Sequence, residues 1–191
     1  MRKVFFDSSA LVKLFVKEEE PATTIARELW NNIRTIHSSV ISVGEVLSAF
    51  AKKKNKKSLS PEAYIDACKK FIDTLLSEND QIGLAIDLFK GELRVSSSTK
   101  IILLPLPKHV IKVSDTLSDM VGKYKIEFGD AWHLMALLSN LGIFKKSGYE
   151  PLFVCSDNNF CRAVEDKGYE VLNLNSPKKD VMEIFHIPIK E

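Results

Sequence analysis

The chain is short of several things, and each shortage removes a class of protein. It has only three cysteines, Cys68, Cys155 and Cys161, an odd set without CxxC spacing. That pattern excludes a cysteine-based zinc site and fits a reducing compartment in which the thiols pack as small apolar groups. No stretch reaches the roughly 18 apolar residues a membrane helix needs. The opening MRKVFFDSSALVKLF starts with two cations and some apolar residues, but Asp7 interrupts it before a signal-peptide core can form. These absences predict a cytoplasmic protein with no membrane partner. Charge of one sign is missing as well: 27 Lys and Arg face 25 Asp and Glu, a formal +2, so bulk charge neither requires nor excludes a polyanion. GxGxxG, GxxxxGK[ST], HExxH and GxSxG are absent, which sets aside dinucleotide, P-loop, zinc-protease and α/β-hydrolase chemistry. No internal repeat or low-complexity linker is visible.

What is present suits one globular domain with elaborations. At 191 residues, with 45% hydrophobic and 27% charged side chains, the chain can bury a core without staples. Lys3 to Asp7 reads as a buried strand feeding a helix from Ser8 to about Val16, and a second helix runs from Pro21 to about Asn31. Arg34 to Ser38 reads as the second strand, and Ser42 opens a helix. Ser60-Pro61-Glu62 marks another helix start, followed by Tyr64, Cys68, Phe71, Ile72, Leu75 and Leu76 at helical spacing. Gln81 to Lys100 has no clear pattern. Further strands are expected at Ile101–Leu106, Leu152–Cys155 and Tyr169–Leu174, with helices at Pro107–Lys123, Phe128–Asn140 and Asn158–Lys167, the last capped by Gly168. Strands separated by helices imply right-handed crossovers and a mainly parallel sheet of about five strands with helices on both faces.

Four acids stand out: Asp7 after the first strand, Glu45 in the first turn of a helix, Asp130 opening a later helix, and Asp157 after the fourth strand. Each has a plain alternative. Asp7 and Asp157 could be N-caps, Asp130 could favour a helix N-terminus, and Ser42-Val43-Gly44-Glu45 fits the capping box. In a parallel sheet, however, the strand ends converge on one cleft. Two carboxylates about 4 Å apart repel by roughly 4 kcal/mol at an effective dielectric near 20, so such a group must hold protons or bind a cation. Oxygen ligands select Mg²⁺ or Mn²⁺ over zinc, and that suits phosphoryl chemistry. A haloacid-dehalogenase-like phosphatase would carry a second acid two positions after the first, where this chain has Ser9.

The ordered set Val4-Phe5-Phe6-Asp7-Ser8-Ser9-Ala10-Leu11, Ser42-Val43-Gly44-Glu45-Val46, Gly129-Asp130-Ala131-Trp132-His133-Leu134 and Cys155-Ser156-Asp157-Asn158-Asn159-Phe160, with Gly168-Tyr169-Glu170-Val171 behind it, resembles the PIN-domain family and, within it, the VapC-like toxins of type II toxin–antitoxin pairs. The resemblance spans Lys3 to about Asn173. It implies a metal-dependent endoribonuclease in which Asp7, Glu45, Asp130 and Asp157 hold one or two Mg²⁺ or Mn²⁺ ions. Asp7 and Asp130 would be inner ligands, Glu45 a ligand or the acceptor of the water's proton, and Asp157 a second-ion or water-mediated ligand. Ser8 and Ser156 could orient these carboxylates. Asn158 and Asn159 are further candidates, which helix capping explains as easily.

His133 lies three residues after Asp130 on the same helix face, where a catalytic role competes with a structural one. His37, His109 and His186 share no zinc-like spacing. The basic run Lys52, Lys53, Lys54, Lys56 and Lys57, with Lys13 and Lys17, is the candidate grip on an RNA backbone, against the alternative of a solvated helix end. The apolar N-terminal helices could supply a homodimer or antitoxin surface. Residues 1–175 are expected to form the single domain, with a helical elaboration at about 54–100 and a tail at 176–191. A housekeeping RNA-processing or DNA-cleaving nuclease, or a silent binding module on the same fold, are the alternatives to a toxin.

Overall fold

A computed structural model describes residues 4–16, 20–33, 35–75, 100–104, 118–139 and 151–184. Its centre is β1 (Val4–Phe6), whose three residues are all buried, as a strand covered on both faces requires. β1 pairs in parallel with β2 (Thr35–Ser39) on one side and β4 (Leu152–Cys155) on the other, in register Val4 with Ile36 and Phe5 with Phe153. β3 (Lys100–Leu104) adds beyond β2, and β5 (Glu170–Asn173) beyond β4. The strand order is therefore β3-β2-β1-β4-β5, all parallel. The chain builds outward from β1 to β3 and then returns to the other side of β1, so the order reverses between β1 and β4. Crevices for ligands open at the carboxyl ends of the strands flanking such a reversal.

Alternation along the strands divides the interior into two layers. Val4, Phe6, Leu152, Val154 and Leu172 face α1 (Ser8–Phe15), α2 (Pro21–Asn32), α3 (Ser42–Asn55) and α4 (Pro61–Leu75). Phe5, Phe153, Cys155 and Val171 face α5 (Phe128–Ser139) and α6 (Asn158–Glu165). On that second face Phe5 stacks on Phe153 at 4.8 Å and Phe160 meets Phe153 edge-on at 5.1 Å. α4 belongs to the core of the first layer: Phe71 is fully buried and meets the rings of Phe15 and Phe50 at 5.2 and 6.1 Å.

Most boundaries match the sequence pattern within two residues. Gly168 ends the turn after α6 with φ of +83°, the left-handed conformation a glycine cap adopts without strain. After β5 the chain forms α7 (Lys179–Ile184), whose Met182 is buried in the first layer, so that part of the expected tail is built into the core. The cysteines differ from expectation. Cys155 and Cys161 are joined in a disulfide, their Cα atoms 6.3 Å apart, and Cys68 is the free cysteine. β4 ends and α6 begins on the same layer, which brings two residues six apart in sequence face to face; the cysteine count therefore does not argue for a reducing compartment. Among the described residues no helix is long and apolar enough to cross a membrane. Lys17, His109, His186, the segment at 76–99, most of the helix expected at Pro107–Lys123 and the end of the tail lie outside the described residues.

Candidate active site

Asp7 follows β1 and caps α1: its Oδ1 accepts the Ala10 N–H at 2.7 Å. An ordinary cap sits in water, but Asp7 is 1% exposed. Ser9 holds its carboxylate, the hydroxyl donating to the Asp7 oxygens at 2.8–2.9 Å while accepting the Ser156 N–H at 2.9 Å. One hydroxyl thus couples the ends of β1 and β4. Asp157 caps α6 through the Phe160 N–H at 2.7 Å and is exposed. Asp130, in the first turn of α5, accepts the Glu127 N–H at 3.3 Å.

Glu45 is not a capping residue. Ser42 lies inside α3 and its hydroxyl is taken by Ser38 at 2.6 Å, while Ser38 also bonds the Phe6 carbonyl at 2.7 Å. The Glu45 carboxylate is free to point across to α5, where its Oε2 meets His133 Nε2 at 2.5 Å. His133 is fully buried and its Nδ1 has no hydrogen-bond partner. Gly129 makes the approach possible, because a Cβ there would lie 2.1 Å from Glu45 Oε1.

The charges form one group. Burial pushes Asp7 up to about 7, against the Ala10 N–H, the His133 charge and the Ser9 hydroxyl, with the Asp130 charge adding to the rise. Burial also raises Asp130 to about 6; His133 opposes this, and the charges of Asp157 and Glu45 add to it. Glu45 feels burial most strongly, yet it ends below its usual value because His133, Ser8 and Lys52 together outweigh burial. Asp130 is thus the hub that feels all three other acids or is felt by them.

A pH prediction follows from these shifts. Asp7 and Asp130 protonate near 3.8 when unfolded and at about 7 and about 6 when folded, so the fold binds more protons across that window and loses stability as pH rises through it. Glu45, shifted down, works in the opposite sense at lower pH. Metal-free protein should therefore unfold more easily at pH 7.5 than at pH 5, with Asp7 alone contributing about 2–3 kcal/mol between those limits. Thermal unfolding in chelator checks this; a melting temperature that climbs steadily from pH 5 to 7.5 would show that the acids are already compensated.

Ser8, Ser9, Glu45, Ser48, Lys52 and Asp130 help to line a cleft of about 540 Å³ between α1, α3 and the start of α5. Glu127 lines it too, a fifth acid that the sequence reading does not single out, although its place three residues before Asp130 is a visible signal. The orienting roles expected of two serines are redistributed. Ser8 bonds Glu45, Ser156 contributes its backbone N–H while its buried hydroxyl has no partner, and Ser9 holds Asp7. Asn158 accepts from Asn173 at 2.7 Å, a tie between α6 and β5. Of the candidate lysines among the described residues, Lys52 alone lines the cleft. Lys13 pairs with Glu20, Lys54 lies over the Tyr64 ring at 4.9 Å, and Lys53, Lys56 and Lys57 fall outside the lining. His37 is buried in β2.

An all-oxygen donor set whose members push each other's protonation upward suits a hard divalent cation. Among the described residues, no three carboxylates or imidazoles are grouped closely enough to hold one ion as they stand. The sequence profile of the PIN domain matches residues 4–163. No curated protein matches the chain.

Proposed function

The chain belongs to the PIN domain family, whose members are generally nucleases, and from that premise we propose that it is a Mg²⁺- or Mn²⁺-dependent endoribonuclease. The observation that carries the reading is the burial of Asp7 within a group of acids that interact through Asp130. Burying a carboxylate beyond what its neighbours compensate is costly, and one kept at the carboxyl end of the central strand suits a site for a ligand.

Asp7, Asp130, Asp157 and Glu45 would hold the metal, and when bound it would supply charge neutralisation at a scissile phosphate and a more acidic water. The chain's own residues have definite tasks. Ser9 fixes the orientation of Asp7, and the Ser156 N–H fixes Ser9. His133 steadies Glu45 through one carboxylate oxygen, and Glu45, which lines the cleft, would serve as a ligand or as the acceptor of the water's proton. We extend the proposal to the biological setting that the motifs resemble: a toxin, a homodimer neutralised by a small antitoxin. Expression in a host without the antitoxin should arrest growth, and Asp130→Asn should not; continued growth with active wild-type enzyme would leave a housekeeping nuclease.

The site is tested by titrating Mn²⁺ into the purified protein by calorimetry beside Asp7→Asn and Asp130→Asn, followed by cleavage of a single-stranded RNA. Wild type should bind and cleave, and each variant should lose at least tenfold in metal affinity, the lower range for disturbing a metal site. Equal binding by all three proteins would make the acids structural caps and leave a binding module.

A further inference from the structure

The cleft is lined by Glu45 and Asp130 of the four acids, with Asp7 and Asp157 outside its lining, and it extends past them along α3. Along α3, Glu45, Ser48, Ala49 and Lys52 recur at helical spacing and all line it, with Ser8 and Val12 of α1 lining it too. One wall is therefore a graded stripe with a carboxylate at one end, a hydroxyl and a methyl in the middle, and an ammonium at the other. Seven residues separate Glu45 from Lys52, a rise of roughly 10 Å. A metal centre alone does not need that length.

We propose that Ser48 and Lys52 form a subsite for a backbone phosphate of the nucleic-acid strand, next to the phosphodiester that lies at the acids. The inference rests on the nuclease reading for the identity of the strand. Ser48 is exposed to the cleft and can donate its hydroxyl to a phosphate oxygen, and Lys52 adds the charge; contacts of this kind position a strand without reading its sequence. The small Ala49 keeps the floor between the two ends open. A plainer role for Lys52 is to suit the C-terminal turn of α3 and to offset Glu45. Lys53 and Lys54 occupy the same last turn and satisfy the helix end equally, yet neither lines the cleft.

The two roles differ in salt dependence. Binding of a fluorescently labelled short single-stranded RNA to the full chain is followed by anisotropy in chelator, so that no cleavage occurs, across salt from about 50 to about 200 mM. Lys52→Ala should weaken binding several-fold and lower the slope of log affinity against log salt by about 0.7, the loss of one phosphate contact on a single strand. Lys52→Arg should keep the slope. Ser48→Ala should weaken binding with the slope unchanged. Lys70→Ala, on the outer face of α4 and paired with Asp66, should match wild type. A Lys52→Ala slope equal to wild type, in protein with an unchanged melting temperature, overturns the subsite, as does failure of the wild type to bind the strand. Mn²⁺-dependent hydrolysis of bis(p-nitrophenyl) phosphate by the wild type reports separately on the acids, since that diester has no flanking phosphate. Hydrolysis with an unchanged Lys52→Ala slope removes the subsite alone, whereas a lost slope without hydrolysis supports the subsite and removes the nuclease reading.

Discussion

Asp7→Asn should make the metal-free protein more stable at pH 7.5 while abolishing metal-dependent activity. The isosteric amide keeps the cap, because Asn is as good an N-cap as Asp and its Oδ1 can accept the same Ala10 N–H. Its amide nitrogen can donate to Ser9 Oγ, which then accepts from both the new amide and the Ser156 N–H. What disappears is the charge whose burial pushes Asp7 up to about 7. Relief of about 2–4 kcal/mol is the expected scale for that shift, and it corresponds to a rise of roughly 4–16 °C in a chain of this size. The gain should shrink as pH falls and vanish below about pH 3, where the aspartate is protonated in both the folded and the unfolded state. Saturating Mn²⁺ should narrow the gap, because the wild type gains more from binding than the variant does. A lower melting temperature for Asp7→Asn in chelator at pH 7.5 would mean that the charge is already satisfied, and the case for a ligand at Asp7 would fall with it.

Gly129→Ala should do the opposite kind of damage, costing activity while leaving the fold intact. The added Cβ would lie 2.1 Å from Glu45 Oε1 and 3.3 Å from its Cδ. The carboxylate is the far end of a flexible side chain, so it gives way and the contact to His133 breaks, leaving the buried imidazole unpaired at a cost of about 1–3 kcal/mol. Alanine in a helix is favoured over glycine by up to about 1 kcal/mol, which offsets part of that cost. Displacing a reacting group by about 1 Å can cost on the order of 100-fold in rate, and that is the loss expected in RNA cleavage. Gly122→Ala, where a Cβ meets nothing within 4 Å, is the matched control and should keep full activity. Undiminished cleavage by Gly129→Ala would remove Glu45 from the chemistry.

The acids were legible in the sequence because each sits at a strand end or a helix start, places that apolar runs and capping residues mark locally. β4 is found at Leu152–Cys155, where the sequence places it, and α6 starts at Asn158 as expected. The contacts that give the acids their character were not legible, because they cross the fold. The capping box at Ser42 and Glu45 is sound local chemistry, but Ser38 on β2 captures the hydroxyl and His133, 88 residues away, captures the carboxylate. Ser8 and Ser9 are equivalent in a linear reading. The turn from β1 into α1 aims Ser9 at Asp7 and at the β4 loop, and leaves Ser8 to face Glu45. The bond between Cys155 and Cys161 was invisible for the same reason, since a strand-to-helix turn had to bring them together.

The pairing of β1 with β4 has a consequence for how the protein is made. Ser9 and its partner Ser156 are 147 residues apart in sequence. At a synthesis rate of about 5–20 residues per second, the first element therefore waits roughly 7–30 s for the strand that completes its hydrogen bonds. β2 can shelter one edge of β1 in the meantime, but the cluster of acids has no Asp130 or Asp157 until most of the chain has emerged. A nascent chain of this protein therefore carries no assembled cluster of acids. The order of the strands delays its assembly until translation of the fold is nearly finished.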